Sequence, residues 1–404
     1  KLLAALVNGM TDRSAVIRKN YAATIGYLVK TAKSSSIEKL FTKLKTWYFE
    51  KEDESIRSAC AHTFHSISQH NQDILRENGS IVIPVIFFAM HANKAPEDRS
   101  VELWEEVWHE VTPGTESGIR QHMAEICETL EVALQSPSWT MKAQAAKAIS
   151  TVAMKVGTLT TENRNSLIGI LVAGLSGRTW NGKDNILKAL ATICTRNKLE
   201  LKKEESSSLV DNVLDAMLKE CRKEDPSYKQ EALKAYGDIL LALDVDRFVQ
   251  VYSIVEDILS KGYEEKDSHE ESSKEESGKR RETLIELTET AYLTLGKSWP
   301  TNHHTQVRYR EQVLEKCVSC LENSTRSESS MRLKFTLGIT KHTRLRKEAL
   351  NILYLLAKKM KDLEFTEELC SLSAKFEQSL EEVGKDHTPE IKSRIVDIKE
   401  ILKS

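Results

Sequence analysis

Apolar positions along this chain fall into stripes at helical spacing, separated by short polar breaks. In VIRKNYAATIGYL, Ile17 is followed by Arg18, and Tyr21, Ala22, Ile25 and Leu28 follow at offsets of +4, +5, +8 and +11. Those offsets trace one face of an α-helix. The pattern recurs. Ile56-Arg57 leads to Cys60, Ala61, Phe64 and Ile67, and Met141-Lys142 leads to Ala145, Ala146, Ile149 and Val152. Tyr228-Lys229 leads to Ala232, Leu233, Tyr236 and Ile239, and Leu345-Arg346 leads to Ala349, Leu350, Leu353 and Leu356. Ile119-Arg120 leads to Met123, Ala124, Cys127 and Leu130. Ile391-Lys392 leads to Ile395, Val396 and Leu402, with Lys399 a polar miss.

The spacing between these stripes carries more weight than any one of them. It is 39 residues from 17 to 56, 41 from 141 to 182, and 46 both from 182 to 228 and from 345 to 391. Periods of roughly 40–47 residues belong to two-helix repeats of the HEAT/armadillo type. The expected fold is therefore all-α, a single HEAT/armadillo-like solenoid over residues 1–404 of about nine antiparallel helix pairs. Second helices are predicted near 14–32, 53–69, 98–111, 138–155, 180–196, 227–242, 281–297, 342–360 and 388–403. First helices are predicted near 36–49, 79–92, 116–135, 162–175, 206–222, 245–261, 304–321 and 365–383. Small residues at the +5 position, Ala22, Ala61 and Ala146, let neighbouring helices approach closely. At several turns the basic residue of the stripe has an acid nearby: Asp12 with Arg18, Asp53 with Arg57, Asp225 with Lys229. This pattern predicts a hydrogen-bonded ladder between repeats, with a ligand-binding basic row as the alternative.

Two segments break the period. One is an acidic insert at about 262–280, within which Glu264–Gly278 carries seven acids and two lysines. Such a charged, Ser-rich tract is expected to be disordered. Ser268, Ser272, Ser273 and Ser277 lie among its acids and are candidates for regulatory phosphorylation. The other is an irregular stretch at about 322–343, where no helix is predicted.

Composition supports helices. Aromatic residues are 6%, with 16 Gly and 7 Pro, too few for a sandwich or barrel rich in turns. A net charge of −2 provides no global basic field, so nucleic acid is not an expected partner. The longest apolar run, IVIPVIFFAM from Ile81 to Met90, is too short to span a bilayer. Seven cysteines, an odd number set mostly on apolar faces, suggest free thiols in a reducing compartment. The opening KLLAALVNGM lacks an initiator Met and a signal-peptide pattern, as if the chain continued a longer protein.

Candidate chemistry is sparse. GRTWNGKD, Gly177 to Asp184, spells G-x-x-x-x-G-K with Asp184 in place of the Mg²⁺-binding hydroxyl residue. A phosphate cradle needs a strand before it, whereas SLIGILVAGL reads as a helix, and Gly182-Lys183 sits on the repeat pattern itself. Cys317 and Cys320 form a lone C-x-x-C, with His303 and His304 the nearest further zinc-ligand candidates. His62 and His65 share a helix face, and Trp104 and Trp108 lie one turn apart as core anchors or as an interface pair. No catalytic, cofactor or metal residue is assigned, and the expectation is a non-enzyme.

Three stretches carry a family resemblance. LWEEVWHEVTPGTESGIRQHMAEI (Leu103–Ile126), SPSWTMKAQAAKAISTVA and GRTWNGKDNILKAL together resemble the C-terminal part of the HEAT-repeat proteasome adapter and scaffold family. The distinctive motifs cover roughly residues 100–195. The resemblance implies a scaffold that binds the 26S proteasome and bridges its core and regulatory particles. It further implies vesicle, endoplasmic reticulum and motor partners, and a cytoplasmic location extending to the nucleus, endoplasmic reticulum and endosomes. The runner-up is another HEAT-repeat adaptor, such as a nuclear transport receptor or a phosphatase scaffold.

Overall fold

The computed structural model describes residues 2–261, 274–330, 338–362, 377, 380–381, 383 and 388–403. The chain divides into two compact units, Lys1–Val213 and Leu214–Ser404. Among the described residues there is no β-strand, only an isolated bridge between Ala95 and Asp98.

The first unit contains α1 (Leu2–Gly9), α2 (Ala15–Leu28), α3 (Ser34–Glu50), α4 (Glu54–Glu77), α5 (Gly79–Ala89) and α6 (Ser100–Val111). It continues with α7 (Thr115–Gln121), α8 (Met123–Gln135), α9 (Trp139–Val156), α10 (Thr161–Gly174), α11 (Asp184–Arg196) and α12 (Lys198–Leu201). Helix α13 (Ser207–Glu220) crosses the unit boundary. The second unit then holds α14 (Pro226–Leu243), α15 (Phe248–Lys261), α16 (Lys274–Lys297), α17 (His303–Ser330), α18 (Gly338–Asp362) and α19 (Pro389–Lys403).

Helix starts follow local chemistry. Asp53 accepts from the Ser55 N–H at 2.9 Å, Asp225 from the Tyr228 N–H at 2.7 Å and Thr160 from the Asn163 N–H at 3.3 Å. Each side chain takes up a donor that the first turn leaves unpaired. Pro226 opens α14, where it forfeits no helical bond.

Each unit stacks hairpins in two layers. In the first unit α2 packs on α4, α4 on α6, and α9 on α11, while α1, α3, α5, α8 and α10 form the other layer. In the second unit α14, α16, α18 and α19 pack in succession. The stripes of the sequence are the seams. Ala22, Ile25, Cys60, Ala61, Phe64 and Ile67 are at most 1% exposed. Residues 82–89 of the IVIPVIFFAM run are buried on α5, packed among α3, α6 and α8. None of the described helices is long and apolar enough to cross a membrane.

The structure departs from the sequence expectation in several places. The predicted helix 116–135 is two, because His122 leaves the helical region at φ −121°, ψ 28°. Ala124 is therefore exposed rather than part of the Ile119 stripe. Helix α4 runs eight residues past its expected end at 69, to Glu77, through a kink at Asn71 whose side chain donates to the Gly26 carbonyl at 2.6 Å. Helix α11 starts at Asp184, not near 180. Helices α17 and α18 extend into the stretch 322–343, and residues 331–337 of it lie outside the described residues. Of the acidic insert, residues 262–273 lie outside them too, while 274–280 are the first turns of α16. The helix expected over 365–383 falls almost wholly outside them.

Candidate interaction surfaces

The P-loop spelling does not build a phosphate cradle. It follows helix α10, and Lys183 is fully buried with its ammonium 3.4 Å from the Gly177 carbonyl. Gly177 and Gly182 have φ of +84° and +102°, so the loop is a turn that needs glycine. A Cβ on Gly182 would sit 3.1 Å from the Ala143 Cβ, which shows how tightly this turn packs on α9. Trp180 stacks on Trp139 with centroids 6.1 Å apart and planes at 17°. These two tryptophans occupy the same place in consecutive repeats. Trp139 is 52% exposed, which the stripe pattern does not reveal.

Lys183 is one of several basic side chains that bond backbone carbonyls in turns or at helix ends. Arg18 donates to the carbonyls of Asp12 and Arg13 at 2.8 and 3.0 Å. Arg57 donates to Tyr48 at 3.2 Å and Arg120 to Val156 at 2.9 Å. The carbonyls of Tyr48 and Val156 lie in the last turns of α3 and α9, where helical partners are lacking, while those of Asp12, Arg13 and Gly177 lie in turns between helices. The neighbouring acids do something else: Asp53 and Asp225 cap helix starts, and Asp12 accepts from the Ser14 N–H in the turn before α2. The Ser55 hydroxyl and N–H, with Arg18 of the preceding repeat at longer range, hold the Asp53 carboxyl below its usual range. Carboxylates share two of these cations: Arg57 also pairs with Glu54 at 3.0 Å and Arg120 with Glu116 at 2.9 Å.

The remaining candidates separate cleanly. Trp104 and Trp108 are each 1% exposed and anchor the core against Phe64 and Phe87. Cys317 and Cys320 are both buried on α17, and burial pushes the Cys320 thiol up to about 12. His303 and His304 lie thirteen or more residues earlier on the same helix, roughly 20 Å away at the helical rise per residue. Among the described residues no group of three His, Cys, Asp or Glu side chains is placed to hold a metal ion. His65 meets Glu106 of the next repeat at 2.8 Å, a partner 41 residues away that no local pattern could announce. Burial pushes the neighbouring His62 imidazole down. Of the four serine candidates, Ser268, Ser272 and Ser273 lie outside the described residues, and Ser277 falls on the described backbone of α16.

Polar residues that the apolar stripes hide tie the repeats together. Gln144 on α9 donates to the Tyr48 hydroxyl at 3.2 Å and to the Phe88 carbonyl at 2.8 Å. Burial pushes the Tyr48 phenol up to about 12. Asn197, 1% exposed, accepts from the Leu159 N–H and donates to the Ile193 carbonyl, both at 2.9 Å. Beside Gln144 opens a cavity of about 300 Å³, bordered by Arg57, Asp98, Trp104 and Thr140.

This architecture is that of a HEAT/armadillo α-solenoid. With its fold alone it resembles a chain of the Kap95:Nup1 complex, at a TM-score of 0.51 and 11% identity over 99% of this chain and 52% of that one. Sequence goes further. The HEAT-repeat domain of the proteasome adapter and scaffold protein ECM29 matches residues 1–49, and the C-terminal ARM-like repeats of ECM29 match residues 203–383. The human proteasome adapter and scaffold protein ECM29 is 38% identical over 80% of this chain and 18% of its own length. The Drosophila melanogaster proteasome-associated protein ECM29 homolog is 33% identical over 100% of this chain and 24% of its own. The chain belongs to the ECM29 family. It spans about a fifth of the length of these curated relatives.

Proposed function

We propose that this chain is a non-catalytic scaffold segment that binds the 26S proteasome, bridges its core and regulatory particles, and couples it to other cellular partners. The observation that carries this is the similarity to a human relative named a proteasome adapter and scaffold and to a fly relative named proteasome-associated, the latter along the whole chain. The physical fit is that of stacked hairpins. Each repeat touches only its neighbours, so such an array presents a long surface and yields elastically when two bound bodies move. The candidate chemistry fits the same reading, since Arg57 and Arg120 bond backbone carbonyls and Lys183 is buried. The wider partners are vesicle, endoplasmic reticulum and motor-associated proteins, with a cytoplasmic and nuclear location and peripheral association with endoplasmic reticulum and endosomes. Phosphorylation at Ser268, Ser272, Ser273 or Ser277 would regulate these contacts by adding charge to an already acidic tract.

The test is reconstitution. The purified chain is mixed with intact 26S proteasomes, with core particles alone and with regulatory particles alone, and each mixture is run on a native gel. The proposal expects a shifted complex with each particle and a higher yield of intact proteasome when the chain is present. Binding to neither particle refutes it.

A further inference from the structure

In the second unit a cavity of about 680 Å³ opens between α15, α16 and α17. Tyr252 and Glu256 line it from one turn of α15, Thr288 and Tyr292 from one turn of α16, and Glu315 and Lys316 from α17. The walls are fixed by contacts of their own. The Tyr252 ring packs 4.9 Å from Tyr309 and 6.0 Å from Phe248. The Tyr292 hydroxyl donates to the Lys316 carbonyl at 3.0 Å, tying α16 to α17.

The lining already holds a cation. The Lys316 ammonium lies 3.3 Å from a Glu256 carboxylate oxygen and 5.8 Å from the centre of the Tyr252 ring. A carboxylate and an aromatic face together are the chemistry that stabilises an ammonium or guanidinium. One lysine head does not fill a space of this size, which lies within the usual range for ligand pockets. The lining carries the carboxylates of Glu256 and Glu315, both reachable from solvent. Burial first, then the nearby Glu256, push the Tyr252 phenol up to about 12.

We propose that this cavity is a docking site for a basic side chain, above all an arginine, presented by a protein partner. The guanidinium lies over the Tyr252 ring and reaches the Glu256 and Glu315 carboxylates, and Lys316 swings out toward solvent to admit it. Arginine suits the site better than lysine because its planar fork stacks on a ring and bonds two oxygens at once. Any protein that presents such a side chain meets the requirement, so the site goes beyond the proteasome reading and does not depend on it.

The test uses two capped tripeptides, glycine-arginine-glycine and its neutral citrulline twin, titrated against the full chain at low salt with ligand-observed NMR. The arginine peptide is expected to bind saturably and the citrulline twin about tenfold more weakly, the loss of one charge-assisted contact. Glu256→Gln with Glu315→Gln should reduce the arginine peptide to the citrulline level, with circular dichroism confirming the fold. Lys316→Met should tighten it, because the resident ammonium no longer competes, and general damage to the fold cannot mimic a gain. Equal binding of the two peptides, no binding of either, or weaker binding to Lys316→Met overturns the proposal.

Discussion

A close approach of α2 to α4 at Gly26 yields a prediction whose sign is set by geometry. Gly26 is buried on α2, and a Cβ there would lie 2.7 Å from the backbone carbonyl carbon of Ser66, with the Ser66 side chain closer still. The obstacle is backbone, so α4 must retreat as a body. Gly169 is the natural control. It also sits inside a helix, α10, but a Cβ there meets nothing within 4 Å. Replacing a helical glycine by alanine gains about 1 kcal/mol of helix propensity at either site. At Gly26 the gain is opposed by overpacking, which costs about 1–3 kcal/mol and belongs at the upper end when backbone is struck. Gly26→Ala should thus cost about 1–2 kcal/mol net, whereas Gly169→Ala should stabilise by about 1 kcal/mol. Hydrogen exchange reads both locally. Protection should fall over Ala15–Leu28 and Glu54–Glu77 in the first variant and rise over Thr161–Gly174 in the second. If Gly26→Ala raises protection as Gly169→Ala does, the two helices do not meet as closely as described.

Three further outcomes are expected. Burial pushes the His91 imidazole, bonded to the Phe87 carbonyl and the Thr151 hydroxyl, below its ordinary value. Its stabilisation is complete above the unfolded value of about 6.5 and declines as the pH falls from there through the depressed native value. In urea unfolding, wild type should therefore lose more stability than His91→Gln between about pH 8 and about pH 5; equal losses would contradict this. A fluorescent ATP analogue should show no saturable binding to wild type or to Lys183→Ala, and binding that the variant abolishes would restore the P-loop. Cys60, Cys194 and Cys317 are at most 1% exposed, with thiols pushed up by burial, so a maleimide should label them only after denaturation; rapid labelling of the native chain at these positions would show the seams to be open.

The fold was legible because a solenoid is written locally. The stripe at Leu345, Ala349, Leu350, Leu353 and Leu356 is buried to within 2% along its length, and the one at Ile186, Leu187, Leu190 and Ile193 is fully buried. Boundaries failed where a single residue overrides the period. His122 breaks one helix into two without any Gly or Pro to announce it, and the turn at Gly177–Lys183, with Gly177 and Gly182 at positive φ, delays α11 to Asp184. Val396 is 53% exposed although the stripe points inward, because α19 buries only the narrower row Ile391, Ile395 and Ile398. The interaction chemistry was less legible still. The His65–Glu106 pair, the Gln144 bridge and the Tyr252–Glu256–Lys316 cluster join residues from different helices, and stacking geometry, not spacing, brings them together.

The central claim is that this chain is itself a proteasome-binding scaffold segment. It is tested most directly by immobilising the chain and titrating purified 26S proteasome over it, with unlabelled chain as competitor. The account predicts saturable binding that the competitor abolishes. Binding that fails to saturate, or that excess chain does not displace, would contradict it.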